Sequence, residues 1–253
     1  MEITTAGALN LAGFVRATAG RLGTSADIVG GVAVAGPVAV AHSYVDTAIP
    51  TDLTVAPSAF FDDACSFFDR VGRDFVLWVP SSCSAHLAEA TARGLVANGA
   101  SVPAMVASQP VVGTGGVRVE TADDDSFEVV GSLCERGYEQ PGMAWLMATQ
   151  QSYLAPNSYW HIAFDDEVPV SAACGFRTGD IGGVYSVATP PEYRGHGFAA
   201  AATSAAANHL FELGVSHVVL QASAMGHHVY ERLGFTTYDQ YERFLVRPSE
   251  PKS

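Results

Sequence analysis

The chain has 253 residues, 48% of them hydrophobic and 15% charged, a globular composition that buries a core and does not resemble a disordered or coiled-coil chain. Its formal net charge of −13, with only 13 Lys and Arg in all, argues against a nucleic-acid surface, which needs clustered basic residues, and favours a cationic partner. The length fits two domains of about 100 to 150 residues each better than one.

Ala6 to Leu22 carries apolar residues at helical spacing, including Leu9, Leu11, Phe14, Val15 and Leu22, with Gly23 placed to end a helix. The longest apolar run, Ile28 to Ala41, is broken by Gly30, Gly31, Gly36 and Pro37 and falls short of the roughly 18 residues a spanning helix needs. Its part from Val32 to Val40 reads as strand. After Pro50 and Pro57, Ala59 to Phe68 reads as a helix with Phe60, Phe61, Phe67 and Phe68 on its apolar face. Asp74 to Pro80 is a short buried strand, and Ser84 to Asn98 an Ala-rich helix ending at Gly99. Gln109 to Gly116, Q-P-V-V-G-T-G-G, is the Pro/Gly-rich stretch that joins two regular halves, so domains are expected over 1–110 and 117–247. Its glycines open no helix, since Val117, Val119 and Thr121 alternate as a strand, and they read as a linker.

In the second half Asp123, Asp124 and Asp125 precede a helix from Phe127 to Arg136, where carboxylates cap the N-terminus; their side chains diverge too much for a metal. Pro141 to Leu154 reads as a second helix. Tyr159–Phe164 and Val168–Phe176 are strands joined by the polar turn Asp165-Asp166-Glu167. Val184–Thr189 and His217–Ala222 are further strands, Gly226–Leu233 is a short helix stopped at Gly234, and Tyr241–Val246 is expected to close the same sheet. The fold class is α/β, a mixed sheet flanked by helices, in two similar-sized lobes. Cys65, Cys83, Cys134 and Cys174 stand 18, 51 and 40 residues apart, matching no metal pairing, and no secretory n-region precedes them. Reduced thiols, a cytoplasmic location, and no membrane partner are the expectations.

The chemistry concentrates between Gly183 and Ala202. A β-branched strand meets Pro190-Pro191, and Arg194-Gly195-His196-Gly197 then runs into an alanine-rich helix. Glycines allow close backbone approach, and the unpaired N–H groups and dipole of a helix start favour an anion. A nucleotide triphosphate loop would need Lys and Ser or Thr where Phe198 and Ala199 stand. A dinucleotide fold would need an acidic residue at the end of the next strand, which reads Leu220-Gln221-Ala222-Ser223.

Arg194-Gly195-His196-Gly197-Phe198-Ala199 resembles the R/Q-x-x-G-x-G/A loop of the GCN5-related N-acetyltransferases, and Tyr230-Glu231-Arg232-Leu233-Gly234-Phe235 resembles their second signature. The resemblance spans roughly Val117 to Val246. It implies acetyl-coenzyme A as cosubstrate, with Arg194 to Ala199 taking the pyrophosphate. Backbone groups of Val187, Ala188 and Thr189 would pair with the pantetheine arm, and the Val187 N–H would meet the oxyanion. Tyr230 stands at the family's general-acid position, where a phenol of pKa about 10 can protonate a thiolate. Ser223 stands where many members carry asparagine, and Tyr185 where many carry the glutamate nine residues before the loop arginine. Glu192, His161, Asp46, His42 or a water relay are the remaining candidates for the base. His227 and His228 are adjacent on a helix and expected to diverge, so no metal site is read there. The first half echoes the second, Phe75–Val79 with its helix paralleling Val218–Ala222 with its own, which leads to the expectation of a tandem pair whose first copy has lost the loop; an unrelated α/β domain is the alternative. The functional expectation is direct acetyl transfer to a primary amine of a small cationic molecule by a monomer or homodimer. The alternatives are a non-catalytic coenzyme-A-binding sensor and acyl transfer to a hydroxyl.

Overall fold

A computed structural model of the chain describes residues 2–20, 23–37, 45–113, 115–150 and 155–247. It divides into two units, Met1–Pro103 with Tyr238–Ser253, and Ala104–Thr237. The division thus falls ahead of the Gln109–Gly116 stretch, and the end of the chain returns to the first unit.

The first unit comprises α1 (Ile3–Ala19), β1 (Thr24–Ile28), β2 (Gly31–Ala35), β3 (Asp46–Pro50), α2 (Pro57–Val71), β4 (Phe75–Pro80) and α3 (Ser84–Ala92). Strands β1, β2 and β3 form an antiparallel meander, and the crossover through α2 brings β4 parallel to β3, with Thr47 opposite Val76 and Ala48 opposite Leu77. Every residue of β2, β3 and β4 is buried, as befits strands covered on both faces. The four phenylalanines of α2 point inward, and Phe68 stacks on Phe75 with ring centroids 4.1 Å apart. Helix α3 is shorter than the sequence pattern predicts. It stops before Gly94, whose φ of 73° lies in the left-handed region that favours glycine, and Ala97 then bridges Phe244 while Asn98 N–H donates to Arg243 O. The Leu22 end of the first expected helix, and the portion of the expected strand beyond Pro37, lie outside the described residues.

The second unit comprises β5 (Val102–Ala107), β6 (Arg118–Thr121), α4 (Phe127–Tyr138), α5 (Met143–Gln150), β7 (Ser158–Asp165), β8 (Val168–Thr178), β9 (Ile181–Ala188), α6 (Phe198–Glu212), β10 (His217–Gln221) and α7 (His227–Leu233). Its sheet runs β5-β10-β9-β8-β7-β6, antiparallel except for β9 and β10, which the α6 crossover makes parallel. Helix α4 lies on one face and α6 on the other. Each sits close to β9 because a glycine lets it. A Cβ on Gly137 would come within 2.9 Å of Ala188 Cβ, and one on Gly182 within 2.9 Å of Leu210. Asp123 caps the helix start as expected: within a capping box Ser126 Oγ accepts the Asp123 N–H at 3.2 Å and donates to the Asp123 carboxylate at 2.6 Å. Glu135 accepts the N–H groups of Gly142 and Ala144, both at 3.0 Å, and so caps α5.

The last strand, β11 (Thr236–Val246), corrects the expected closure of the second sheet. Tyr241 to Val246 pair antiparallel with Pro80 to Phe75 of β4, in the first unit. Strand β5, which the sequence pattern does not announce, takes the corresponding place beside β10. Both units therefore share one plan: an antiparallel meander, a helical crossover to a parallel strand, a short helix, and a closing antiparallel strand contributed by the other half of the sequence.

Candidate active site

Strand β9 carries the irregularity that organises the site. Against β8, Tyr185 pairs with Cys174 and Ala188 with Ala172, so three steps along β9 answer two along β8 and one residue bulges. Ser186 takes up the excess at φ 51°, a left-handed conformation unusual for a residue other than glycine. On its other edge β9 pairs with β10 only from Ile181 to Gly183, opposite His217 to Val219. Beyond that point no ladder joins the two strands, and the bulged end of β9, with Val187 half-buried and Ala188 buried, borders an opened seam. A backbone edge released this way keeps donors and acceptors that another extended group can take.

The chain leaves β9 through Thr189, whose hydroxyl bonds Ser171 Oγ at 2.8 Å, and makes one 3-10 turn at Pro191–Tyr193. Gly195 and Gly197 follow at φ 84° and 87°, and Gly197 is the N-cap of α6. The first bond of that helix runs from Ala201 N–H to Gly197 O at 3.0 Å, which leaves the N–H groups ahead of it directed outward at the positive end of a 15-residue helix. Phe198 is buried in the core and anchors the helix start, Ala199 is half-buried, and His196 is exposed. Arg194 is not a free cation. Its guanidinium donates to Thr189 O at 3.1 Å and Gly137 O at 2.8 Å, and it lies 3.4 Å from Glu139 Oε1. It braces the loop against the end of α4.

Because β9 and β10 are parallel, the segment after β10 emerges at the same edge as the loop. Ser223 there accepts the Gly226 N–H on its Oγ at 3.1 Å, so it shapes the turn into α7. Tyr230 is buried, its ring 6.2 Å from that of Phe235. A Cβ on Gly226 would fall 2.9 Å from the Tyr230 ring, so this glycine is what lets the phenol lie beneath the turn.

The other ionisable candidates among the described residues already have partners. Glu192 is exposed and paired with Arg136, and its own backbone N–H and then Arg136 hold its carboxyl below the usual range. His161 is buried on β7. Its Nδ1 faces Tyr159 O and its Nε2 lies 3.2 Å from His209 Nδ1 of α6, and burial together with His209 pushes it down to about 4. Asp46 belongs to the first unit, buried 2.8 Å from Arg73, and burial raises its pKa against the opposing pull of that arginine. His42 lies outside the described residues. His227 and His228 do not diverge as adjacent helical residues are expected to, because Glu231 one turn on draws both, at 3.6 and 2.9 Å. Tyr185 is buried, on the α4 face of the sheet beside Cys174. The sequence reading passed over Tyr138, at the end of α4, whose hydroxyl donates to Val187 O at 3.2 Å; only the approach permitted by Gly137 brings it to the bulge.

Residues 124–235 match the model of the Acetyltransferase (GNAT) family, and the second unit carries a domain of that family. The chain is similar to a GCN5-related N-acetyltransferase from Kribbella flavida, with a TM-score of 0.73 and 16% identity over 99% of this chain and 97% of that one. It is similar also to a tandem GNAT protein from the clavulanic acid biosynthesis pathway, with a TM-score of 0.64 and 14% identity over 91% and 86% of the two chains. A third, a GCN5-related N-acetyltransferase from Sphaerobacter thermophilus, gives 0.60 and 17% over 87% and 82%. At these identities the likeness is one of fold alone. No curated protein matches the chain. The family supports acyl-coenzyme-A-dependent acyl transfer in general, and no helix among the described residues is long and apolar enough to cross a membrane.

Proposed function

We propose that this chain is an N-acetyltransferase that passes acetyl from acetyl-coenzyme A directly to a primary amine of a small cationic molecule. The observation that carries this reading is the bulge at Ser186 beside the parted β9–β10 seam, directly ahead of the glycine loop into α6. The pyrophosphate is taken by N–H groups between Gly195 and Ala199 and by the α6 dipole. The pantetheine arm lies along β9 and pairs with backbone groups of Val187 to Thr189. The amine attacks the thioester carbonyl, and the N–C bond forms as charge collects on oxygen near the Val187 N–H. As the C–S bond breaks, Tyr230 gives its proton to the thiolate and later recovers one from solvent, while water carries away the ammonium proton. The acidic balance of the chain, −13, favours a cationic acceptor.

One observation favours a second reading, a coenzyme-A-binding sensor. Tyr185 stands where a carboxylate base is common, and Glu192, His161 and Asp46 are each engaged elsewhere. Thiol release measured across a panel of amines separates the two. Transfer is expected, and Tyr230→Phe is expected to lower turnover tenfold or more within the roughly 10²-to-10⁴-fold range of such catalysis, with acetyl-coenzyme A binding kept. Tight binding without turnover of any amine selects the sensor.

A further inference from the structure

Gln221 closes β10 two residues past the last pair with β9, Val219 opposite Gly183. Carrying that register forward across the opened seam sets Leu220 opposite Val184 and Gln221 opposite Tyr185. The faces agree. Val218, Leu220 and Ala222 belong with Val184 to the core under α6, so Gln221 and Tyr185 both point to the opposite face. Helix α4 covers that face over β8 and β9. Gln221 is half-buried, yet its Nε2 is buried and has no hydrogen-bond partner among the described residues. A buried amide donor left unpaired is costly, and a bound acceptor oxygen removes that cost.

We infer that Gln221 is a specificity residue for the acceptor: its amide, across the seam from Tyr185, donates a hydrogen bond to a carbonyl oxygen on the skeleton of the amine being acetylated. This rests on the transfer reading above and narrows it. The acceptor is a cationic amine that also carries an amide or ester carbonyl, so a derivative of a basic amino acid is preferred to a plain polyamine. Gln221 binds and orients, and it does not exchange a proton with the reacting nitrogen.

The test uses the full chain with saturating acetyl-coenzyme A and two probes on one skeleton, lysinamide and 1,5-diaminopentane, which lacks the carboxamide. The native chain is expected to favour lysinamide about tenfold in kcat/KM. Gln221→Glu, which keeps the shape but turns a donor into an acceptor, and Gln221→Leu are both expected to erase that preference through KM for lysinamide, with kcat and the Kd of acetyl-coenzyme A unchanged. If both variants keep the native preference, or if both amines are turned over equally by the native chain, the inference fails while the transferase reading stands. If acetyl-coenzyme A binds and neither amine is acetylated, the inference fails for these acceptors whatever the variants do, and an amine panel without turnover removes the transferase reading as well.

Discussion

Two corners of this chain occupy the same step of the same topology and differ in nearly every property that matters to an anion. Between β9 and α6 lie a bulge, a glycine at φ 87° capping a helix, and outward N–H groups. Between β3 and α2 the ladder with β2 runs without a register shift from Asp46 to Pro50. Asp52 there accepts the N–H and hydroxyl of Thr54 at 3.0 and 2.6 Å, bonds that hold its carboxyl below the usual range, and α2 opens with Pro57, which has no N–H to give. One corner offers outward N–H groups, and the other supplies a carboxylate of its own. The crossover fold confers no site by itself. A bulge and a few residues of loop make the difference.

That contrast breaks most directly on stoichiometry. Calorimetry with acetyl-coenzyme A is expected to give one site per chain. Gly197→Val, forced to a positive φ at the loop, should weaken binding by about 100-fold or more, whereas Asp52→Gly leaves it unchanged. Two sites per chain would show that the first corner binds after all.

The next largest effect compares the buried histidines of the two units, His86 and His161, both lowered by burial. For His161 the unfolded chain, with a pKa near 6.5, takes up a proton before the folded one does. Its contribution is therefore intact above about pH 6.5 and is lost as pH falls toward 4, amounting to about 2 kcal/mol at pH 5. Urea unfolding at pH 7.5 and pH 5 should show this difference, and His161→Phe should flatten it in the second unit while the His86 share remains.

Smaller effects sharpen the loop itself. Arg194→Ala removes a brace rather than a phosphate ligand, so acetyl-coenzyme A should bind roughly tenfold more weakly with little change in the salt dependence of its Kd; a large change would return the guanidinium to the phosphate. Tyr138→Phe frees the Val187 carbonyl for the pantetheine arm and should tighten binding by at most about threefold. Weaker binding would mean that the phenol supports the bulge instead of competing with the ligand.

Much of this corner is legible in the sequence because glycine, proline and alanine report backbone geometry directly. Pro190 and Pro191 end a strand, Gly195 and Gly197 take positive φ, and the alanine run is a helix. The bulge is not legible, since Ser186 carries no sign that it will adopt a left-handed conformation. Arg194 shows its charge but not that Gly137 O lies within reach, which depends on how α4 packs. Tyr138 and Gln221 are silent for the same reason. Their meaning lies in what stands across from them. Likewise the alternation of Tyr241 to Val246 announces a strand and cannot name its neighbour, which is β4.

The closing strands carry a consequence for how the molecule can be made. The edge of β4 is covered by a strand from far downstream in the chain, so until that strand emerges during synthesis the first unit holds its meander with a bare, apolar lip. Its completion waits for Tyr241 to Val246. A gene cut between the halves would leave each of them without its closing strand.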